Sequence, residues 1–104
     1  MVKILEKDIQ KTIIDFCKYK KIFCFKINNG GIKKANGSFI PAQTLGLPDL
    51  VCHYDGFVRY LEIKTPTGRQ SEHQIAFQEQ CKKDKVQYLV IRSLEDLIRI
   101  LNIK

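Results

Sequence analysis

Two strand-like runs, Asp49-Leu-Val-Cys-His-Tyr54 and Phe57-Val-Arg-Tyr-Leu-Glu-Ile-Lys64, flank Asp55-Gly56, and no other feature restricts the fold of this chain as tightly. Asp-Gly between alternating apolar positions signals a two-residue hairpin turn. With that turn Tyr54 faces Phe57, and each outward step keeps the paired numbers at one sum, so Asp49 lies directly opposite Glu62. Side chains alternate between faces with period two. Asp49 and Glu62 therefore emerge together, with Cβ atoms expected about 4.5–5.5 Å apart. Lys64 lies two residues beyond Glu62 and shares their face. The other face reads Leu50, Cys52 and Tyr54 against Phe57, Leu61 and Ile63, which is a core surface. A four-residue loop would keep this register, and a three-residue loop would break it.

Two carboxylates set directly opposite each other repel, at a cost of up to about 1 kcal/mol. Lys64 supplies part of the compensating charge. A divalent cation does so better, because it gathers several oxygens in a compact shell. The hard oxygen donors favour Mg²⁺ or Mn²⁺, and the backbone carbonyl of Ile63 is placed to add another oxygen. Gly46-Leu47-Pro48 leads into Asp49. Gly46 allows a tight turn or a close approach to a phosphate. Pro48 fixes its own φ and biases Leu47 to an extended conformation, giving Asp49 a stiff base. Glu-x-Lys alone is common in strands and carries little information. Joined to Gly-x-Pro-Asp across a hairpin of this length, it points to a metal site.

The rest of the chain builds around that hairpin. Leu5, Ile9, Ile13, Phe16 and Cys17 recur as one stripe and predict a helix over 5–18. A short strand is expected over 22–27, broken by Asn28-Asn29-Gly30-Gly31. The weak pattern over 32–45, with an Asn36-Gly37 turn signal, reads as a mobile loop or a loose hairpin. Ser71 and Gln74 have capping-box spacing and predict a helix from about 71 to 83. A β-branched strand over 86–91 and a Ser93-capped helix with Leu94, Leu97, Ile98 and Leu101 in one stripe complete the order αβββαβα. That order is an α/β sandwich around a mixed sheet, its fourth strand reached through a helix.

Composition sets outer bounds. A chain of 104 residues fits one domain. No apolar run approaches the roughly 18 residues that cross a bilayer, and charges at Lys3, Glu6, Lys7 and Asp8 stand where a secretory signal would be apolar. A cytoplasmic location is expected. Cys17, Cys24, Cys52 and Cys81 are widely spread and read as reduced, mostly core residues rather than zinc ligands or disulfides. Eighteen Lys and Arg against eleven Asp and Glu give a net charge of +7, which suits phosphate backbones, although lysines also simply solvate small proteins.

Gly46-Leu-Pro-Asp49 followed by Glu62-Ile-Lys64 resembles the PD-(D/E)XK nuclease motif, in a form similar to the VRR-NUC (virus-type replication-repair nuclease) group. The resemblance covers nearly the whole chain, 1–104, as one domain. It implies a restriction-endonuclease-like αβββαβ core with a mixed sheet flanked by helices, plus a C-terminal helix. It further implies Mg²⁺- or Mn²⁺-dependent hydrolysis of DNA phosphodiester bonds, and it is compatible with a viral, phage or bacterial source without fixing one. Asp49, Glu62 and the Ile63 carbonyl would bind the metal, and Lys64 would position or activate the attacking water. Glu6 would complete the site from the first helix, directly or through water, and Gln74 would support it from the later helix.

Plainer roles exist for the last two. Glu6 in a first helical turn also favours the helix dipole, and Gln74 also closes a capping box with Ser71. His53 belongs near the hairpin turn, too far up the strand to ligate at ~3.3 Å per residue, and His73 reads as a rim residue. Lys26, Lys33, Lys34 and Arg69 are the candidates for holding the DNA backbone. A stand-alone unit of this length gains footprint most simply as a homodimer, and analogy suggests a structure-selective endonuclease acting on four-way (Holliday) junctions or flaps in DNA repair. No organic cofactor and no membrane partner are expected. Two other readings compete: a non-cleaving DNA-binding module on the same fold, and a partner-binding subunit whose charge is only solubilising.

Overall fold

The structure, a computed structural model, describes residues 3–27, 32–33, 35–37, 39–40 and 44–104. The predicted break at 28–31 and Lys34 lie outside them. The elements run α1 (Glu6–Tyr19), β1 (Phe23–Lys26), β2 (Ile32–Lys33), β3 (Phe39–Ile40), β4 (Leu50–Tyr54), β5 (Phe57–Ile63), α2 (Glu72–Asp84), β6 (Gln87–Ile91) and α3 (Leu94–Leu101). Where the sequence allowed a loop or a hairpin over 32–45, the described residues form a small one, with Ile32 opposite Ile40.

The main sheet has the order β1-β4-β5-β6, antiparallel except for the parallel β5–β6 pair that α2 connects. Tyr54 pairs with Phe57 across Asp55 (φ 52°) and Gly56 (φ 81°). Both central residues take positive φ, as a type I′ turn demands, so the hairpin is the two-residue one. Continuing that register, Leu50 pairs with Leu61. The next step outward brings Asp49 level with Glu62, and the Asp49 N–H donates to the Leu61 carbonyl at 3.1 Å.

Helices α1 and α3 cover one face of the sheet. Ile9, Ile13 and Cys17 of α1 and Leu97 and Leu101 of α3 bury against Leu50, Cys52, Leu61, Ile63 and Ile91. All of these but Ile91 belong to the period-two and period-3.6 stripes expected to be core. Cys24 pairs with Cys52 and faces the same layer. All four cysteines are free, and the Cys17 thiol is pushed up to about 12, first by its hydrogen bond with Cys24. Such a thiol is a packing group rather than a nucleophile at neutral pH.

Two positions depart from the simple core surface. Phe57, next to the hairpin turn, is exposed. Arg59 occupies that rim instead: it is buried, donates to the Tyr54 carbonyl at 2.6 Å and to Gln87 Oε1 at 2.7 Å, and lies 5.1 Å from the Phe57 ring centre. On β1 the small Cys24 turns inward while Phe23 stays 61% exposed. Helix α2 covers the opposite sheet face, where Phe77 packs edge-on to Tyr60 at 5.4 Å. Among the described residues no helix is long and apolar enough to cross a membrane.

Candidate active site

The α2 side of the sheet carries the acid pair. Asp49 and Glu62 leave adjacent strands on that face, at the end of the hairpin away from the turn. Asp49 is anchored by its own side chain, since Oδ2 accepts from the Ile63 N–H at 2.7 Å. Its backbone carbonyl accepts from the Ile27 N–H at 2.9 Å, which ties it to β1 as well. In extended backbone a residue's N–H and C=O point the same way. The Ile63 carbonyl therefore faces the Asp49 side of β5, while the Lys64 N–H turns the other way and donates to Ile91 at 3.0 Å.

Glu62 is 1% exposed, so protein groups rather than bulk water set its charge and orientation. Oε2 accepts from Gln74 Nε2 at 3.0 Å and lies 4.0 Å from Lys64 Nζ, and Oε1 accepts from the Tyr88 hydroxyl at 3.4 Å. Burial, and after it the facing Asp49 carboxylate, pushes the Glu62 carboxyl up to about 8. Lys64 opposes that rise but does not cancel it. The Tyr88 hydroxyl is itself raised above the usual phenol range by burial and by Glu62, so it stands as a proton donor.

Lys64 is 7% exposed and bridges two acids. Besides Glu62 it approaches Glu6 Oε2 at 3.9 Å. Glu6 opens α1, is half exposed, and thus joins the site through the lysine. The turn after Lys64 is clamped by Arg92, whose Nη1 donates to the Thr65 carbonyl at 2.6 Å and the Gly68 carbonyl at 2.8 Å.

Gln74 makes the capping box that its spacing from Ser71 predicts, and the same side chain also reaches Glu62. Its Oε1 accepts from the Ser71 N–H at 2.8 Å, closing a capping box in which the Gln74 N–H donates to Ser71 Oγ at 3.2 Å. The other end of the amide is the Nε2 that reaches Glu62. One side chain thus caps α2 and fixes the carboxylate.

The approach to Asp49 is pinned to the same helical turn. Gly46 has φ +76°, and a Cβ built there would collide with the His73 carbonyl and lie 2.7 Å from the Gln74 nitrogen. Both the dihedral and the space exclude a side chain. Gly46→Ala is expected to lower stability by about 2 kcal/mol or more, read as a fall in the urea midpoint at constant m. An unchanged midpoint would contradict the close packing.

The remaining sequence candidates scatter. Lys26 pairs with Leu50, which puts it on the sheet face opposite the acids. Arg69 is exposed in the connection between Lys64 and α2. Lys33 lies on β2, with only its backbone described, and Lys34 is outside the described residues. His53 packs edge-on to Phe23 at 5.0 Å, away from the acids, and His73 is exposed beside Gly46 on a cavity of about 220 Å³. A larger cavity of about 520 Å³ runs between α2 and β6, but neither acid lines it. The residues missed in the sequence are Tyr88, Gln70 behind it (Nε2 to the Tyr88 hydroxyl, 3.2 Å) and Arg92.

Among the described residues no cluster of three or more His, Cys, Asp or Glu is arranged to hold a metal ion. The donor set is two carboxylates and a backbone carbonyl, all hard oxygens. A buried carboxyl whose proton affinity is raised by a second carboxylate fits a compact divalent cation, which relieves both the burial and the repulsion. Mg²⁺ in particular keeps several waters and needs few protein ligands. The residues present therefore fit such an ion.

A solved structure described as a VRR_NUC domain superposes on this chain with a TM-score of 0.67, covering 94% of this chain and 95% of that one at 18% identity. No family model matches the sequence, and no curated protein matches it. The likeness shows the fold: the mixed sheet flanked by helices, expected from the hairpin and the element order, is that of a VRR-NUC domain.

Proposed function

We propose that this chain is a VRR-NUC-family nuclease, a metal-dependent endonuclease that hydrolyses DNA phosphodiester bonds. Structured DNA, such as four-way junctions or flaps met in replication, recombination or repair, is its substrate, and a homodimer is its working form. One observation carries the reading. Glu62 is buried against Asp49 with Lys64 4.0 Å away, on the fold of a VRR-NUC domain.

Asp49, Glu62 and the Ile63 carbonyl would hold Mg²⁺ or Mn²⁺. Such an ion supplies a water of lowered pKa and neutralises charge gathering on the phosphoryl oxygens. The attacking water oxygen bonds to phosphorus and releases a proton to solvent as the bond to the leaving sugar oxygen breaks in line with it, and the leaving oxygen takes a proton from solvent. Lys64 keeps a fixed positive charge where the transition state gains negative charge. Glu6, 3.9 Å from that ammonium, steadies it from α1. Gln74 holds the Glu62 carboxylate turned toward Asp49. Arg69, exposed in the connection after Lys64, together with Lys26, Lys33 and Lys34, binds the DNA backbone without reading bases.

Cleavage of a panel of duplex, flap, four-way junction and single strand, with Mg²⁺ or with chelator, tests the reading. Cutting should require the cation, vanish in Asp49→Ala, and fall steeply between low and physiological salt, while solution mass should be that of a dimer. A gel shift without cutting would make the chain a binding module. Neither shift nor cutting would leave a partner-binding subunit.

A further inference from the structure

We propose that Tyr88, backed by Gln70, is a positioning residue for Glu62, and that its hydroxyl sets how tightly the acid pair takes a divalent cation. This rests on the reading above that the pair binds a metal.

The terminal torsion of a glutamate is broad, so a carboxylate plane stays fixed only when both oxygens are held. At Glu62 the two oxygens are held unequally. Oε2 has Gln74 at 3.0 Å with Lys64 at 4.0 Å, whereas for Oε1 the described partner is the Tyr88 hydroxyl at 3.4 Å. With Glu62 1% exposed, water does not readily replace that hydroxyl. The 3.4 Å separation exceeds a tight hydroxyl–carboxylate bond, so the contact is the longer of the two that hold this carboxylate.

Tyr88 is built to stay in place. It pairs with Tyr60 across the parallel β5–β6 ladder, which puts its side chain on the face that carries Glu62. Its ring packs 6.1 Å from Phe77, which in turn packs edge-on to Tyr60. Gln70 Nε2 donates to the Tyr88 oxygen at 3.2 Å, so an acceptor site of the hydroxyl is taken and its proton is free to point at Glu62. Gln70 lies in the connection that begins after Lys64 and ends at the α2 cap. The relay Gln70–Tyr88–Glu62 therefore joins that connection to the acid pair from the β6 side, opposite Asp49.

Groups that orient metal ligands from behind typically change affinity by about 10- to 100-fold when removed. Calorimetric titration of the full chain with MnCl₂ tests the proposal, alongside the Mn²⁺ dependence of cleavage and a thermal melt. Tyr88→Phe should weaken Mn²⁺ binding by about 10- to 100-fold, keep the melt close to wild type, and recover wild-type kcat at saturating Mn²⁺. Gln70→Ala should shift the Mn²⁺ constant the same way by less. A Tyr88→Phe protein that melts lower yet binds Mn²⁺ within about threefold of wild type would make Tyr88 a packing residue and overturn the proposal. Asp49→Asn separates the two failures. If wild type binds Mn²⁺, Asp49→Asn does not, and Tyr88→Phe matches wild type, only the role of Tyr88 falls. If wild type takes up no Mn²⁺, the metal reading falls and this proposal with it.

Discussion

Lys64→Met should cut phosphodiester cleavage by about 10²- to 10³-fold while leaving divalent-cation binding as tight as wild type or tighter. The two halves have opposite electrostatic origins. An ammonium 4.0 Å from Glu62 repels any cation that shares that carboxylate, so removing it favours metal binding. The same charge stabilises the phosphoryl group only as negative charge builds in the transition state, so removing it slows the chemical step. Methionine keeps most of the lysine's volume, and at 7% exposure the site tolerates an unbranched apolar chain with little packing loss. Glu6 loses its partner but is half exposed and remains solvated. Single-turnover cleavage at saturating Mn²⁺, paired with calorimetric Mn²⁺ titration, reads both effects. A variant that cuts normally once Mn²⁺ is raised would reduce Lys64 to a holder of Glu62.

What could be read from the sequence was set by local rules, and what could not was set by long-range pairing. The Asp49–Glu62 facing follows from a turn of two residues and a side-chain period of two, both local, and the structure keeps that register. The stripes of α1 and α3 were legible for the same reason, because period 3.6 needs no partner to be seen. Tyr88 escaped because its place beside Glu62 depends on the register of a parallel strand reached through α2, which no turn residue specifies. Lys26 is the converse case. Its face is fixed by pairing with Leu50, far along the chain, and that pairing turns it away from the acids. On β1 Phe23 and Phe25 are exposed, since α1 approaches from the Cys24 side and α2 covers the β5–β6 half of the other face. For Gln74 spacing gave the capping box and the resemblance gave a contact with the site, and one amide makes both hydrogen bonds because it has a donor end and an acceptor end.

With divalent cations chelated, stability should fall as pH rises from about 5 to about 8, on the order of a few kcal/mol, and Glu62→Gln should remove most of that slope. The Glu62 carboxyl is raised from 4.5 to about 8 in the folded chain. Between those values the native state holds a proton that the unfolded chain has released, so the unfolded state binds fewer protons and stability declines with pH. The contribution is complete below the unfolded value, is lost as pH climbs through the folded one, and levels off above it. At alkaline pH the ionised Glu62 then sits buried against Asp49, with Lys64 as a partial counter-charge. Glutamine keeps the shape without that charge, so the variant should melt higher than wild type near pH 9 yet fail to cut DNA. Cation binding needs the carboxylate, so Mn²⁺ affinity should rise about tenfold per pH unit up to about 8, with one proton released, and flatten beyond it. For the same reason Mg²⁺ should raise the melting temperature by several degrees at pH 9 and hardly at all at pH 5. Melts in chelator across this range decide the matter. Stability that rises with pH in wild type, or a slope unchanged in Glu62→Gln, would mean that Glu62 is ionised in the metal-free fold and that burial against Asp49 is not what prepares it for a cation.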